Sequence, residues 1–231
     1  MHQGAGFYGK IPCRGDFVSR NLPRALTDSF DRWFQQGMHQ SRQQLGAEWN
    51  QRYSIAPIWR FFIAPGVFDE YAWIGVFIPS VDKVGRQFPC LIALPFEQRM
   101  VTYEQILAQD LIYQRIEDLL LDALELDFDF EHFCSQVDSL AIRSVSPPTS
   151  LKAVKDEMPL LQNLFAMRFQ YHHLDLLTAI DYPILWMSEG TEGVEPQLFL
   201  SSALPEPSSF SLFVTGQNLQ SEQVLGEGCL V

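Results

Sequence analysis

Residues 57–95 read PIWRFFIAPGVFDEYAWIGVFIPSVDKVGRQFPCLIALP, and their pattern decides the fold class. Three apolar runs, 58–64, 71–78 and 88–94, are separated by turn-rich breaks. Each run has strand length and is rich in aromatic and β-branched residues. In the first two runs both alternating faces are apolar. Trp59, Phe61 and Ile63 oppose Ile58, Phe62 and Ala64, and Ala72, Ile74, Val76 and Ile78 oppose Trp73, Gly75 and Phe77. A strand that is apolar on both faces is covered on both faces. The fold class expected is therefore α/β, a three-layer α/β/α sandwich around a central mixed sheet. Arg60 interrupts the apolar pattern, and a charge there needs a partner. Asp82, within the same stretch, is the candidate partner. The break at 79–89, Pro79-Ser-Val-Asp-Lys-Val-Gly-Arg-Gln-Phe-Pro89, carries three further charges, Asp82, Lys83 and Arg86.

The chain has 231 residues, of which 47% are hydrophobic and 13% aromatic, enough for a sizeable core. One α/β domain over 1–215 is expected, followed by a polar, flexible tail over 216–231. The cysteines Cys13, Cys90, Cys134 and Cys229 are scattered with no CxxC pair, the usage of reduced thiols rather than a disulfide framework or zinc site. The first residues lack a basic run followed by an apolar one, and no apolar run is long enough to cross a bilayer. A cytoplasmic location follows as the expectation. The net charge of −12 argues against nucleic acid as a partner. That charge is uneven. Residues 1–96 hold ten basic and seven acidic side chains, a net of +3, whereas 97–138 hold two and eleven, a net of −9.

Gly4-Ala-Gly-Phe-Tyr-Gly9-Lys10 fits both GxGxxG and the opening of a phosphate-binding loop. The dinucleotide fingerprint needs a strand before it and a helix after it, and only three residues precede Gly4. A phosphate loop needs Ser or Thr after its lysine, where Ile11 stands. A short strand over 7–11 is the better reading. Arg14-Gly-Asp16 reads as a turn. A helix is expected over 26–45, with Phe30, Trp33, Phe34, Met38 and Leu45 on one stripe, and a shorter one over 47–53. Thr102-Tyr-Glu-Gln105 has the form of a capping box opening a helix to 126, with Ile106, Leu111, Ile116 and Leu120 buried. Further helices are expected over 130–140, 159–169 and 207–214, and strands over 184–187 and 197–201. Ser146-Pro-Pro-Thr-Ser150 is the clearest break. His172 and His173 are adjacent and have no third ligand at metal-site spacing.

Gly6-Phe-Tyr-Gly-Lys-Ile-Pro-Cys-Arg-Gly-Asp-Phe17, Pro57-Ile-Trp-Arg-Phe61 and the Pro79–Pro89 break occur in that order, and together they resemble the TagF/ImpM family of accessory proteins of bacterial type VI secretion systems. Phe30-Asp-Arg-Trp33, Leu185-Trp186 and Ala203-Leu-Pro205 also fit. Met187 stands where the family often has an aromatic. The resemblance implies a cytoplasmic, non-enzymatic, post-translational repressor of the secretion machine. It implies a forkhead-associated-domain scaffold protein as partner, no cofactor, and a three-layer α/β/α fold.

No nucleophile elbow, zinc-protease helix, kinase set or complete phosphate loop is present. The candidate partner-binding residues are Lys10, Arg14, Asp16, Lys83 and Arg86, which lie in loops flanking the apolar strands. Arg60 and Asp82 are expected to pair internally. Gly9, Gly15 and Gly85 are expected to supply positive φ, and Trp59, Pro79, Ser80 and Pro89 complete the structural motif. Two other readings compete. One is a structural subunit of the secretion apparatus. The other is a hydrolase built on Asp16, Arg86 and a histidine, His39 or His172.

Overall fold

A computed structural model describes residues 4–96, 106, 109–125, 127–142 and 184–217. In chain order these form β1 (Gly6–Gly9), β2 (Val18–Arg20), α1 (Arg24–Leu45), a 3-10 turn (Gly46–Glu48) and α2 (Trp49–Ser54). Then come β3 (Trp59–Ile63), β4 (Ala72–Ile78), β5 (Cys90–Phe96), α3 (Asp110–Asp122) and α4 (Phe130–Asp138). Last are β6 (Ile184–Ser188), β7 (Gln197–Ser201), a 3-10 turn (Pro207–Ser209) and α5 (Ser211–Thr215). The capping box at 102–105, the break at 146–150, the helix over 159–169, His172, His173 and almost all of the 216–231 tail lie outside the described residues.

The seven strands form one sheet in the order β2-β1-β5-β4-β3-β6-β7. Among the described residues every pairing is antiparallel, which corrects the expected mixed sheet. Consecutive strands β3, β4 and β5 are joined by the short links 64–71 and 79–89. Such links return the chain alongside itself in the opposite direction, whereas a parallel pair needs a long crossover.

The two-residue alternation of β3 and β4 sorts their side chains between two apolar clusters. Trp59, Phe61, Ile63, Trp73 and Phe77 pack with Leu26, Phe30, Trp33, Phe34 and Met38 of α1, with Trp49 and Tyr53 of α2, and with Phe213 and Val214 of α5. Phe62, Ile74, Val76 and Ile78 pack with Tyr113, Ile116, Leu119 and Leu120 of α3 and with Phe133, Cys134 and Val137 of α4. Two polar side-chain atoms inside these clusters are bonded to backbone. The Trp59 Nε1–H donates to the Phe213 carbonyl at 2.9 Å, and the Tyr113 hydroxyl donates to the Phe61 carbonyl at 3.0 Å.

Three local expectations change. The strand β2 was not legible, because it is three residues long and only Val18 of the three is buried. Along the helix after β5, Ile106, Ile116 and Leu120 are buried as expected, but Leu111 is 61% exposed and Tyr113 takes the buried position. Arg60 does not meet Asp82. Its Nε and Nη2 donate to both oxygens of Glu117 at 2.5 and 2.9 Å, its Nη1 donates to Asp110 at 2.7 Å, and Nη2 also reaches Glu189 at 3.2 Å. Its guanidinium also lies 5.5 Å over the Tyr113 ring. The partners belong to α3 and to the turn after β6, both remote in sequence.

Gly75 shows how tightly the middle of the sheet is packed. It sits opposite Phe61 in the β3–β4 register, and the Phe61 ring lies across it. A Cβ at Gly75 would stand 2.4 Å from Phe61 Cζ and 2.5 Å from the Ile92 carbonyl oxygen. Both strands are central, so neither can step aside. Gly75→Ala is expected to destabilise the chain by about 1–3 kcal/mol through overpacking. Urea unfolding checks this, and an unchanged midpoint and slope would contradict it.

Candidate functional site: two clamped loops at one end of the sheet

Strand β1 pairs with β5 so that Gly9 sits opposite Cys90. The loop leaving β1, residues 10–17, and the loop entering β5, residues 79–89, therefore emerge side by side. Gly9 makes this approach sterically possible. Its φ is +139°, and a Cβ there would lie 2.2 Å from the Pro89 carbonyl oxygen.

Asp82 is the hub of the two loops and its side chain is buried. Its Oδ1 accepts from the backbone N–H groups of Val84 at 3.0 Å and Arg86 at 2.9 Å, closing the tip 82–86 on itself. Gly85, with φ of +82°, donates its N–H to the Asp82 carbonyl at 2.8 Å, and Asp82 donates its own N–H to the Arg86 carbonyl at 3.1 Å. Oδ2 accepts from Lys10 Nζ at 2.9 Å and from Arg86 Nε at 2.5 Å. The carboxylate thus binds its own loop through both oxygens and the neighbouring loop through Oδ2.

Further bonds tie the loops together. Arg86 Nη2 donates to the Gly15 carbonyl at 2.5 Å, and the Lys83 N–H donates to the Arg14 carbonyl at 2.9 Å. The Ser80 hydroxyl donates to the Lys10 carbonyl at 2.7 Å, while Ser80's own N–H and carbonyl bond the Tyr53 hydroxyl of α2. Trp49 Nε1 and Arg42 Nη2 both donate to Gln87 Oε1, which anchors the second loop to the helices. Phe17 stacks on Tyr8 with ring centroids 5.7 Å apart and meets Phe88 edge-on at 4.8 Å.

The candidate residues fall into two groups. Lys10 is 7% exposed and spends its ammonium on Asp82, so it positions the loops from beneath and is not available at the surface. Arg14, Asp16, Lys83 and Arg86 are exposed. The Arg14 guanidinium lies 4.3 Å over the Phe130 ring of α4, and Arg86 is exposed yet pinned through Asp82 and Gly15. Gly15 is not among the glycines with positive φ, which corrects that expectation. The site uses its carbonyl instead. Trp59 is buried in the α1 cluster, and Arg60 is held in its own network, so neither belongs to this surface. His39, one histidine considered for a hydrolase, is exposed on α1 beside Gln43. Sequence reasoning did not single out Val84 and Phe17. Their signal is an apolar residue inside a glycine- and charge-rich loop.

Electrostatics bind the clamp to ionised Asp82. Burial alone would raise its pKa. The hydrogen bonds from Lys10, from the Arg86 backbone and side chain and from the Val84 N–H outweigh burial and hold it well below the usual carboxylate range. A depressed folded value means stability that is present above the ordinary aspartate value near 4 and is lost as pH falls through it. Around Arg60 the balance differs. Burial lifts the Glu189 carboxyl above its usual value despite the attraction of Arg60, because Glu117 and Asp110 add negative charge.

A family model described as TagF N-terminal domain, type VI secretion system-associated, matches residues 6–140, which include both loops. The crystal structure of PA0076 from Pseudomonas aeruginosa PAO1 is similar at a TM-score of 0.73 and 30% sequence identity. The match covers 99% of this chain and 98% of that one. No curated protein matches. Among the described residues, no helix is long and apolar enough to cross a membrane, and no group of His, Cys, Asp and Glu is placed to hold a metal ion.

Asp82→Asn is expected to lower stability at pH 7, because it strands the buried Lys10 ammonium. The variant is also expected to lose less of its remaining stability than the parent between about pH 5 and pH 2. Urea titrations across that range check both parts. Parallel acid profiles would contradict the assignment.

Proposed function

The chain belongs to the TagF N-terminal-domain family of type VI secretion system-associated proteins, and on that premise we propose that it is a repressor of the secretion machine acting by protein–protein binding. The observation that carries this reading is the clamped loop pair. Its backbone is fixed by hydrogen bonds before any partner arrives, and charged side chains stand on its outer side. Fixed loops on a sheet bind with little ordering cost, the usual arrangement of a recognition surface.

The same reading assigns the chain a cytoplasmic place and a non-enzymatic role. It takes the scaffold to be layered α/β/α, supported by the apolar clusters that join α1, α2 and α5 to one face of the sheet and α3 and α4 to the other. The proposed partner is a forkhead-associated-domain scaffold protein of the same system. This partner rests on the family resemblance alone.

Deletion of the gene in its host is expected to raise secretion, and complementation with the full chain to restore the parental level. Secreted substrate in culture supernatants is the readout. Loss of secretion on deletion would overturn the repressor role and favour a structural subunit. Pull-down with the full chain is expected to retain the forkhead-associated scaffold, and its absence would remove that partner.

A further inference from the structure

We propose that the clamped loop pair binds an acidic protein segment that carries an apolar side chain, seated between Val84 and Phe17. This deepens the binding role above and rests on it. Three observations meet on one patch. The first is its apolar content. Val84 is 73% exposed and Phe17 46%, the former at the tip of the loop 79–89 and the latter at the end of the loop 10–17. Their loops are joined by the Lys83–Arg14 backbone bond and the Arg86–Gly15 bond. Exposed apolar groups rimmed by polar ones mark interaction surfaces.

The second is charge. Arg14, Lys83 and Arg86 are exposed in the same two loops, with Asp16 the one exposed carboxylate there. The patch is positive on a chain whose net charge is −12. Asp82 lies beneath the surface against both Lys10 and Arg86, and with it counted the two loops still hold four basic and two acidic side chains, a net of +2. Complementarity favours a negatively charged occupant.

The third is rigidity. Val84 cannot turn inward, because its N–H is held by Asp82 and the next residue, Gly85, is fixed at positive φ. An apolar side chain held outward in this way gains burial only from a second molecule. An anchor residue entering beside Val84 and Phe17, with carboxylates reaching Arg14, Lys83 and Arg86, satisfies both kinds of group at once.

The test is a titration of the ¹⁵N-labelled full chain with a short peptide of aspartate and glutamate around one central leucine, followed by NMR. Shift changes are expected at residues 14–17 and 82–86. Affinity is expected to fall roughly tenfold or more in Lys83→Glu, in Val84→Ser, and with serine replacing the peptide's leucine. Both side chains are exposed and make none of the clamp's side-chain bonds, so melting temperatures should stay at the parental value. Absence of shifts at these residues would overturn the proposal, as would equal binding of the leucine and serine peptides. Equal or tighter binding to phosphatidylglycerol vesicles would overturn it too, by making the patch a generic anion surface. Peptide binding without a secretion phenotype on deletion would remove the repressor role alone. A secretion phenotype with a silent titration would remove this proposal alone.

Discussion

A sheet that is apolar on both faces leaves only its ends and edges for polar chemistry, and this constraint orders the whole molecule. Trp59, Phe61 and Trp73 pack with α1 and α5, and Phe62, Ile74 and Val76 pack with α3. With both sets of side chains packed against helices, polar function is left to the loops between strands. The β1–β5 pairing brings two of these loops together, and Gly9 permits the contact. The basic excess of the first 96 residues thereby becomes local, concentrated on neighbouring loops rather than spread over the surface.

The two buried charge networks solve similar problems with different consequences. Arg60 is one cation facing three carboxylates, and it joins β3 to α3 and to the turn after β6. It belongs to the fold. Asp82 is one carboxylate facing two cations and two backbone N–H groups, and it joins one loop to the next. It belongs to the surface. A buried ionic group is weak evidence for net stability, since its desolvation offsets much of the attraction. What such a group supplies at Asp82 is geometry, and a binding loop needs a fixed geometry more than it needs extra stability.

Much of the fold was legible in the sequence, because period-two alternation survives any tertiary arrangement. The strands β3, β4, β6 and β7 and the helix α1 lie within a residue or two of where pattern alone puts them. The apolar runs alone do not give strand direction, since strands covered on both faces carry the same run in parallel and antiparallel sheets; the short links 64–71 and 79–89 are the signal that does. The partner of Arg60 was not legible either. The sequence reading took Asp82 from the same stretch, while the true partners on α3 lie 50 and 57 residues away, where only topology can bring them close. The site was half legible. Charged residues and glycines marked both loops, but the division between buried Lys10 and exposed Lys83 depends on which way each loop folds over Asp82.

The central claim is that Asp82 makes two loops into one rigid unit. Amide hydrogen exchange on the full chain tests it most directly. The N–H groups of Lys83, Val84 and Arg86, although they lie in an exposed loop tip, are predicted to exchange slowly in the parent and to lose protection together in Asp82→Asn. Exchange of these three amides at the rate of an open surface loop in the parent, or protection unchanged by the substitution, would contradict it.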